Sequence, residues 1–182
     1  MRELSLNLLD IAENSVKAKA SLIEITVRAK DNVLSFTIAD NGCGMDKEFL
    51  ARVTDPFTTT RTTRKVGMGI PLIKMIAEMS GGEFSITSEK GVGTTTYATF
   101  QIDHIDRPPL GELDDSLMIL IAGLGEADLV FTYSVEDREF VFDTREVKAE
   151  LEGIPMDNPE ILVFIRDLLK ENIKNTDGGF HL

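Results

Sequence analysis

The chain has 182 residues, is 42% hydrophobic and 27% charged, and carries a formal net charge of −12. That balance suits a globular chain that buries a core, and it argues against nucleic acid or an anionic membrane as a partner, because both repel an acidic surface. A single cysteine, Cys43, rules out an internal disulfide, and the sequence shows neither a run of about 18 apolar residues nor a basic-then-apolar leader, so a cytoplasmic location is expected.

The charge is uneven. Residues 1–105 hold 12 Lys+Arg and 13 Asp+Glu, whereas residues 106–182 hold 7 and 18. This step predicts two units, 1–105 and an acidic accessory unit over 106–182, which is either a structural appendage or a module for sensing or partner docking.

Leu4, Leu8, Ile11 and Ser15 share one face of a helix over residues 3–19. Residues 21–30 alternate, with Ile23, Ile25 and Val27 on one side and Glu24, Thr26 and Arg28 on the other, as in a half-buried strand. After a turn at Lys30, Asp31 and Asn32, residues 33–39 alternate again with Leu34, Phe36 and Ile38 inward, which predicts a hairpin. A short helix is expected over 46–54. Residues 57–66 hold five threonines, two arginines and a lysine with little apolar periodicity and read as a mobile loop. A helix over 71–80 closes on Gly81 and Gly82, and strands over 83–89 and 94–103 are joined by the turn "KGVG". The first unit is therefore predicted as a two-layer α/β sandwich, a largely antiparallel sheet with helices on one face.

Pro108 and Pro109 make residues 106–115 a linker, since proline excludes regular structure. Beyond it the pattern gives a helix near 116–123 and strands over 129–135 and 138–142. Asp143 or Thr144 caps a helix running to Leu151, and Pro159 opens a last helix to about Asn175. The second unit reads as a small α+β domain.

Four short motifs bear on chemistry. In "LLDIAENSVKAKA", Asp10 and Asn14 are one helical turn apart and project the same way. An acid can orient water, an amide oxygen can hold Mg²⁺ without adding charge, and Lys17 supplies a point charge for phosphate. The same spacing also suits an ordinary polar helix face. In "DNGCGM", Gly42 and Gly44 allow a tight turn and close approach to a flat ligand, and Asp40 can accept from an exocyclic amine. A plain strand-to-helix turn has the same composition.

In "DPFTTTRTTRKVGMGIP" the glycines lack the preceding strand and third glycine of a dinucleotide fingerprint. A Walker A loop fails as well, since Lys74 comes five residues after Gly69 with no Ser or Thr next. What remains is a polar loop ending on Gly67 and Gly69 at a helix start, whose first N–H groups form an anion site. Arg61, Arg64 and Lys65 add charge there. The fourth stretch, "SGGEFSITSEKGVGTTTYATF", has polar Thr94 at the start of its last strand and by itself reads as a structural hairpin.

In this order the four blocks resemble the N, G1, F/G2 and G3 boxes of the GHKL ATPases, the superfamily of histidine kinases, gyrase, mismatch-repair ATPases and heat-shock chaperone ATPases. "DPFTTTR…GMGIPLIK…SGGEFSITSEKGVGTTTYATFQI" is most similar to the catalytic domain of histidine kinases, and "ENSVKAKASLIEITV" is also similar to the mismatch-repair branch. The likeness covers about residues 3–103. It implies a Bergerat-type sandwich with a mostly antiparallel mixed sheet, and ATP and Mg²⁺ as cofactors. By the resemblance, Asn14 would coordinate Mg²⁺ on the phosphates and Lys17 would approach them. Asp40 would accept from the adenine amine over a floor shaped by Gly42 and Gly44. Phe57 would anchor the near end of a lid, Gly67 and Gly69 would meet the phosphates at its far end, and Thr94 would support the adenine through water.

Three departures qualify the likeness. Asp10 stands where the hydrolysing branches carry glutamate, one methylene longer. A histidine kinase has an upstream dimerising hairpin bearing the phosphorylated histidine, whereas here the only histidines are His104 and His181, neither in such a setting. Pro71 replaces the last glycine of G-x-G-x-G, which predicts a stiff far hinge and lid motion centred on residues 58–66. The resemblance therefore implies a stand-alone Mg·ATP-binding kinase or ATPase subunit acting on or regulated by a protein partner, with a homodimer left open. The alternative is a non-catalytic, ATP-dependent switch similar to anti-sigma regulators.

Overall fold

The computed structural model describes residues 3–55, 68–180 and 182. The alternating segments form β1 (Leu22–Lys30) and β2 (Val33–Asp40), paired antiparallel in one register from Lys30↔Val33 to Ile23↔Asp40. Asp31 and Asn32 both take positive φ, 51° and 64°, as a two-residue hairpin turn that follows the strand twist requires. The second hairpin, β3 (Phe84–Glu89) and β4 (Gly93–Gln101), pairs through β4 with β2.

Residues 106–182, expected as an accessory unit, continue this same sheet. Their strands β5 (Asp128–Val135) and β6 (Arg138–Asp143) extend it, β5 lying parallel to β1 and β6 antiparallel to β5. The order is β3-β4-β2-β1-β5-β6, a mixed sheet with one parallel pair. Buried residues of both segments form one core, so Ile25 of β1 pairs with Ile38 on one side and Phe131 on the other.

One sheet face carries the helices α1 (Leu4–Lys17), α3 (Gly69–Met79), α4 (Leu113–Gly123) and α6 (Pro159–Asp177). α1 lies between α3 and α4, and α6 packs on α4, β5 and β6. Under this layer Phe36 meets Phe100 edge to face at 5.3 Å. Glu24, Arg28 and Thr95 on the opposite face are exposed. The short helices α2 (Lys47–Val53) and α5 (Thr144–Glu150) start on carboxylate caps: Asp46 accepts from Phe49 N–H, and Asp143, rather than Thr144, accepts from Arg145 N–H.

Two boundaries differ from the sequence reading. α3 begins at Gly69, two residues before Pro71, because a first-turn residue needs no N–H partner and proline is tolerated there. α4 begins at Leu113 inside the proline-marked linker, with Asp114 and Asp115 in its first turn, where acids complement the helix dipole. The linker also has a structural task. Glu3 gives α1 no side-chain cap, and Leu4 and Ser5 instead donate their N–H groups to the carbonyls of Pro109 (3.0 Å) and Leu110 (2.8 Å). Among the described residues no helix is long and apolar enough to cross a membrane.

Candidate functional site

α1 turns Leu4, Leu8, Ile11 and Ser15 into buried positions, while Asp10 and Asn14 stay partly exposed beside them. Ser15 is the polar member of that stripe. Its hydroxyl donates to Asp40 Oδ2 at 2.6 Å, and the Gly42 N–H donates to Asp40 Oδ1 at 2.8 Å. Asp40 ends β2 on the helix side of the sheet, in register with buried Ile23 and with Thr94. Each carboxylate oxygen thus has one donor and keeps capacity for another, which fits a group that takes a further N–H from a ligand.

The loop after Asp40 is fastened on three sides. Asn41 Oδ1 accepts from the N–H groups of Ser21 and Leu22, both at 2.9 Å. Cys43 N–H donates to Ala18 O at 3.0 Å, and Cys43 O accepts from Gly91 N–H at 2.7 Å. Met45 N–H donates to Ser88 Oγ at 2.8 Å. Gly44 has φ of +63°, and a Cβ there would sit 1.9 Å from Glu89 O, so the loop lies against the β3–β4 turn where only glycine fits. Gly93 repeats this on the facing strand, where a Cβ would stand 1.9 Å from Asp40 O.

Thr94 pairs with Asp40 across β2 and β4, and its hydroxyl is 2.8 Å from Ser88 Oγ. Ser88 Oγ also donates to Gly93 O at 2.9 Å. Ser88 therefore ties the floor of the loop to the strand that carries Thr94.

The start of α3 closes the other side. A Cβ on Gly69 would be 3.2 Å from Asp10 Cβ, so this helix end rests directly on the turn of α1 that holds Asp10. Free first-turn N–H groups at such an end favour an anion. Pro71 is buried in this first turn, and Leu72 N–H bonds Met68 O at 3.0 Å. Lys17 is exposed and pairs with Glu13 at 3.4 Å.

The structure therefore brings Asp10, Asn14, Asp40, Gly42, Gly44, Gly69 and Thr94 to one end of the sheet, between α1, α3 and the loop after β2. Phe57, Gly67 and the lid positions 58–66 lie outside the described residues. The sequence reading missed Ser15, Asn41, Ser88 and Gly93 as site residues. For Ser15 a signal was there: a hydroxyl at the fourth place of an apolar stripe.

The family model described as "Histidine kinase-, DNA gyrase B-, and HSP90-like ATPase" matches residues 2–104. A "Putative sensor protein" of Shewanella frigidimarina is 33% identical over 107 residues, 58% of this chain and 16% of that protein. A "Putative sensor histidine kinase NtrY-like" of Rickettsia conorii is 29% identical over 107 residues, 58% of this chain and 18% of that protein. The chain thus spans less than a fifth of the length of these relatives. The fold is similar to that of the N-terminal domain of a DNA repair protein, with a TM-score of 0.54 and 13% identity over 78% of this chain and 52% of the other.

Proposed function

The chain belongs to the family of histidine kinase-, DNA gyrase B- and HSP90-like ATPases, and from that premise we propose that it binds Mg·ATP between α1, the end of β2 and the start of α3. The observation that carries this reading is the fixed carboxylate of Asp40, held by Ser15 and Gly42 with Thr94 opposite. In this reading Asp40 accepts from the adenine amine, Thr94 supports the base through water, and Gly42 and Gly44 keep the floor low. Gly69 and the N-terminal end of α3 face the phosphates, and Lys17 is free to swing from Glu13; Gly67 and Phe57 keep only the roles that the family resemblance gives them.

The donor chemistry fits magnesium. Among the described residues no group of three or more His, Cys, Asp or Glu could hold a metal alone. A single neutral oxygen from Asn14 suits an ion that takes its other ligands from phosphates and water. When bound, the ion neutralises phosphate charge. Asp10, one turn before Asn14, is placed to orient a water, and the protein acts as a kinase-type or ATPase subunit working with a protein partner.

A second reading, an ATP-dependent switch without catalysis, is favoured by the short reach of Asp10. γ-Labelled ATP with lysate separates the two: label on protein, or released phosphate, supports the enzyme, and neither supports the switch. The ATP site itself is tested by calorimetry on Asp40→Asn. A charge-assisted hydrogen bond contributes roughly 1.5–3 kcal/mol, so the affinity should fall about 10- to 100-fold. Unchanged affinity would overturn the assignment.

A further inference from the structure

A groove of about 400 Å³ runs between α4 and α6, lined by Asp115, Met118 and Ile119 on one bank and by Leu162, Val163 and Arg166 on the other. It lies clear of the nucleotide motifs, because α1 separates α4 from α3. Asp115 stands three and four residues before Met118 and Ile119, and Arg166 three and four after Val163 and Leu162, so each set shares one face of its helix. The two helices run antiparallel. Leu113 and Asp114 at the start of α4 lie near Ile173 and Asp177 at the end of α6, while Met118 and Ile119 lie near Leu162 and Val163. Met118 and Leu162 are half-buried against the core, whereas Ile119 and Val163 stay 56% and 49% exposed.

The charge of the groove differs from that of the surface around it. Residues 106–182 hold 7 Lys+Arg against 18 Asp+Glu, so two copies repel each other over most of this surface. The groove carries one charge of each sign, Asp115 on the α4 bank and Arg166 on the α6 bank. Asp115 makes no ion pair among the described residues, and Arg166 is seen with its chain neighbour Asp167 at 3.7 Å. Such a face is complementary to itself. A twofold axis along the groove lays α4 of each copy antiparallel on α6 of the other. It sets Ile119 against Val163 of the second copy and Asp115 against Arg166 of the second copy. Twofold symmetry repeats every pairing, so one charge of each sign on opposite banks gives two ion pairs. The face is two helices wide, about 20 Å, and as long as α4, about 16 Å. That is less than the roughly 800 Å² per partner of a standard interface, so the association is weak and depends on concentration.

We propose that the groove between α4 and α6 is the contact face of a twofold dimer of this chain, closed by Ile119 on Val163 and by reciprocal Asp115–Arg166 pairs.

The test is sedimentation velocity of the full chain without nucleotide, from micromolar to near-millimolar concentration. It compares wild type, Val163→Glu, Asp115→Arg, Arg166→Asp and the double reversal of Asp115→Arg with Arg166→Asp. The expected result is a monomer–dimer equilibrium in wild type and no dimer in Val163→Glu. Each single reversal should weaken the dimer about tenfold or more, because like charges then face each other twice, and the double reversal should recover it. A wild type that stays monomeric throughout leaves the groove to a different partner and overturns the proposal. A dimer that survives Val163→Glu, or a double reversal no tighter than the single ones, overturns it as well. Should Val163→Glu fail to fold, Ile119→Lys takes its place, with the same loss expected and the same survival of the dimer counting against the face.

Discussion

The hydroxyl of Ser15 lies 2.6 Å from Asp40 Oδ2, joining α1 to the end of β2 across the seam between helix layer and sheet. It sets where Asp40 points, because only one other donor, the Gly42 N–H, is seen on that carboxylate among the described residues. Ser15→Ala leaves Asp40 charged but with one anchor. The expected outcome is a loss of about 1 kcal/mol in ATP affinity, roughly fivefold by calorimetry, with a similar small loss of stability. An unchanged affinity would mean that Ser15 serves packing alone.

Gly44 tests the floor of the pocket. Alanine there must hold φ of +63° and place its Cβ on Glu89 O. Gly44→Ala should cost roughly 2 kcal/mol or more, about 4–8 °C in Tm for a chain of this size. Gly91, whose added Cβ would meet nothing within 4 Å, is the control for steric effect. Equal melting of the two variants would contradict the tight contact.

Asp10 separates hydrolysis from binding. If Asp10 orients the attacking water, Asp10→Asn should lower any steady phosphate release by about 10²- to 10⁴-fold while ATP affinity changes little. Phosphate release that survives at the wild-type rate removes Asp10 from the role of base.

The Asp143–Arg145 pair at the start of α5 gives a pH signature. The hydrogen bond from Arg145 holds the Asp143 carboxyl below its ordinary value of 3.8. A depressed carboxyl adds stability above its unfolded pKa, and that stability is lost as pH falls through the folded value. Arg145→Ala should therefore melt slightly lower than wild type near neutral pH, and the two curves should converge in strong acid. A gap that persists in acid would assign the effect to something other than this pair.

Much of the fold could be read from periodicity. The stripe of Leu4, Leu8, Ile11 and Ser15, the alternation through Ile23, Ile25 and Val27, and the opening of α6 at Pro159 all act within a few residues. The pairing of β5 with β1 could not be read, because alternation says that a strand has a buried face and not which strand lies beside it. Asp40 was marked as a candidate by its place at a strand end before two glycines. Its bond to Ser15 spans 25 positions and depends on how α1 crosses the sheet. Ser88 was hidden for a related reason. Its hydroxyl meets Met45 N–H and Gly93 O, and backbone groups leave no mark in a sequence.

The parallel pairing of β5 with β1 has a consequence for any shortened version of the protein. Eight consecutive residues of β1, Leu22 to Ala29, are in register with β5. A chain cut near residue 105 would turn β1 into a bare edge, a long template for strand addition. It would also strip the acceptors that Pro109 and Leu110 offer to the first turn of α1. Such a fragment would keep the four nucleotide motifs and yet tend to aggregate, with self-association beginning at β1.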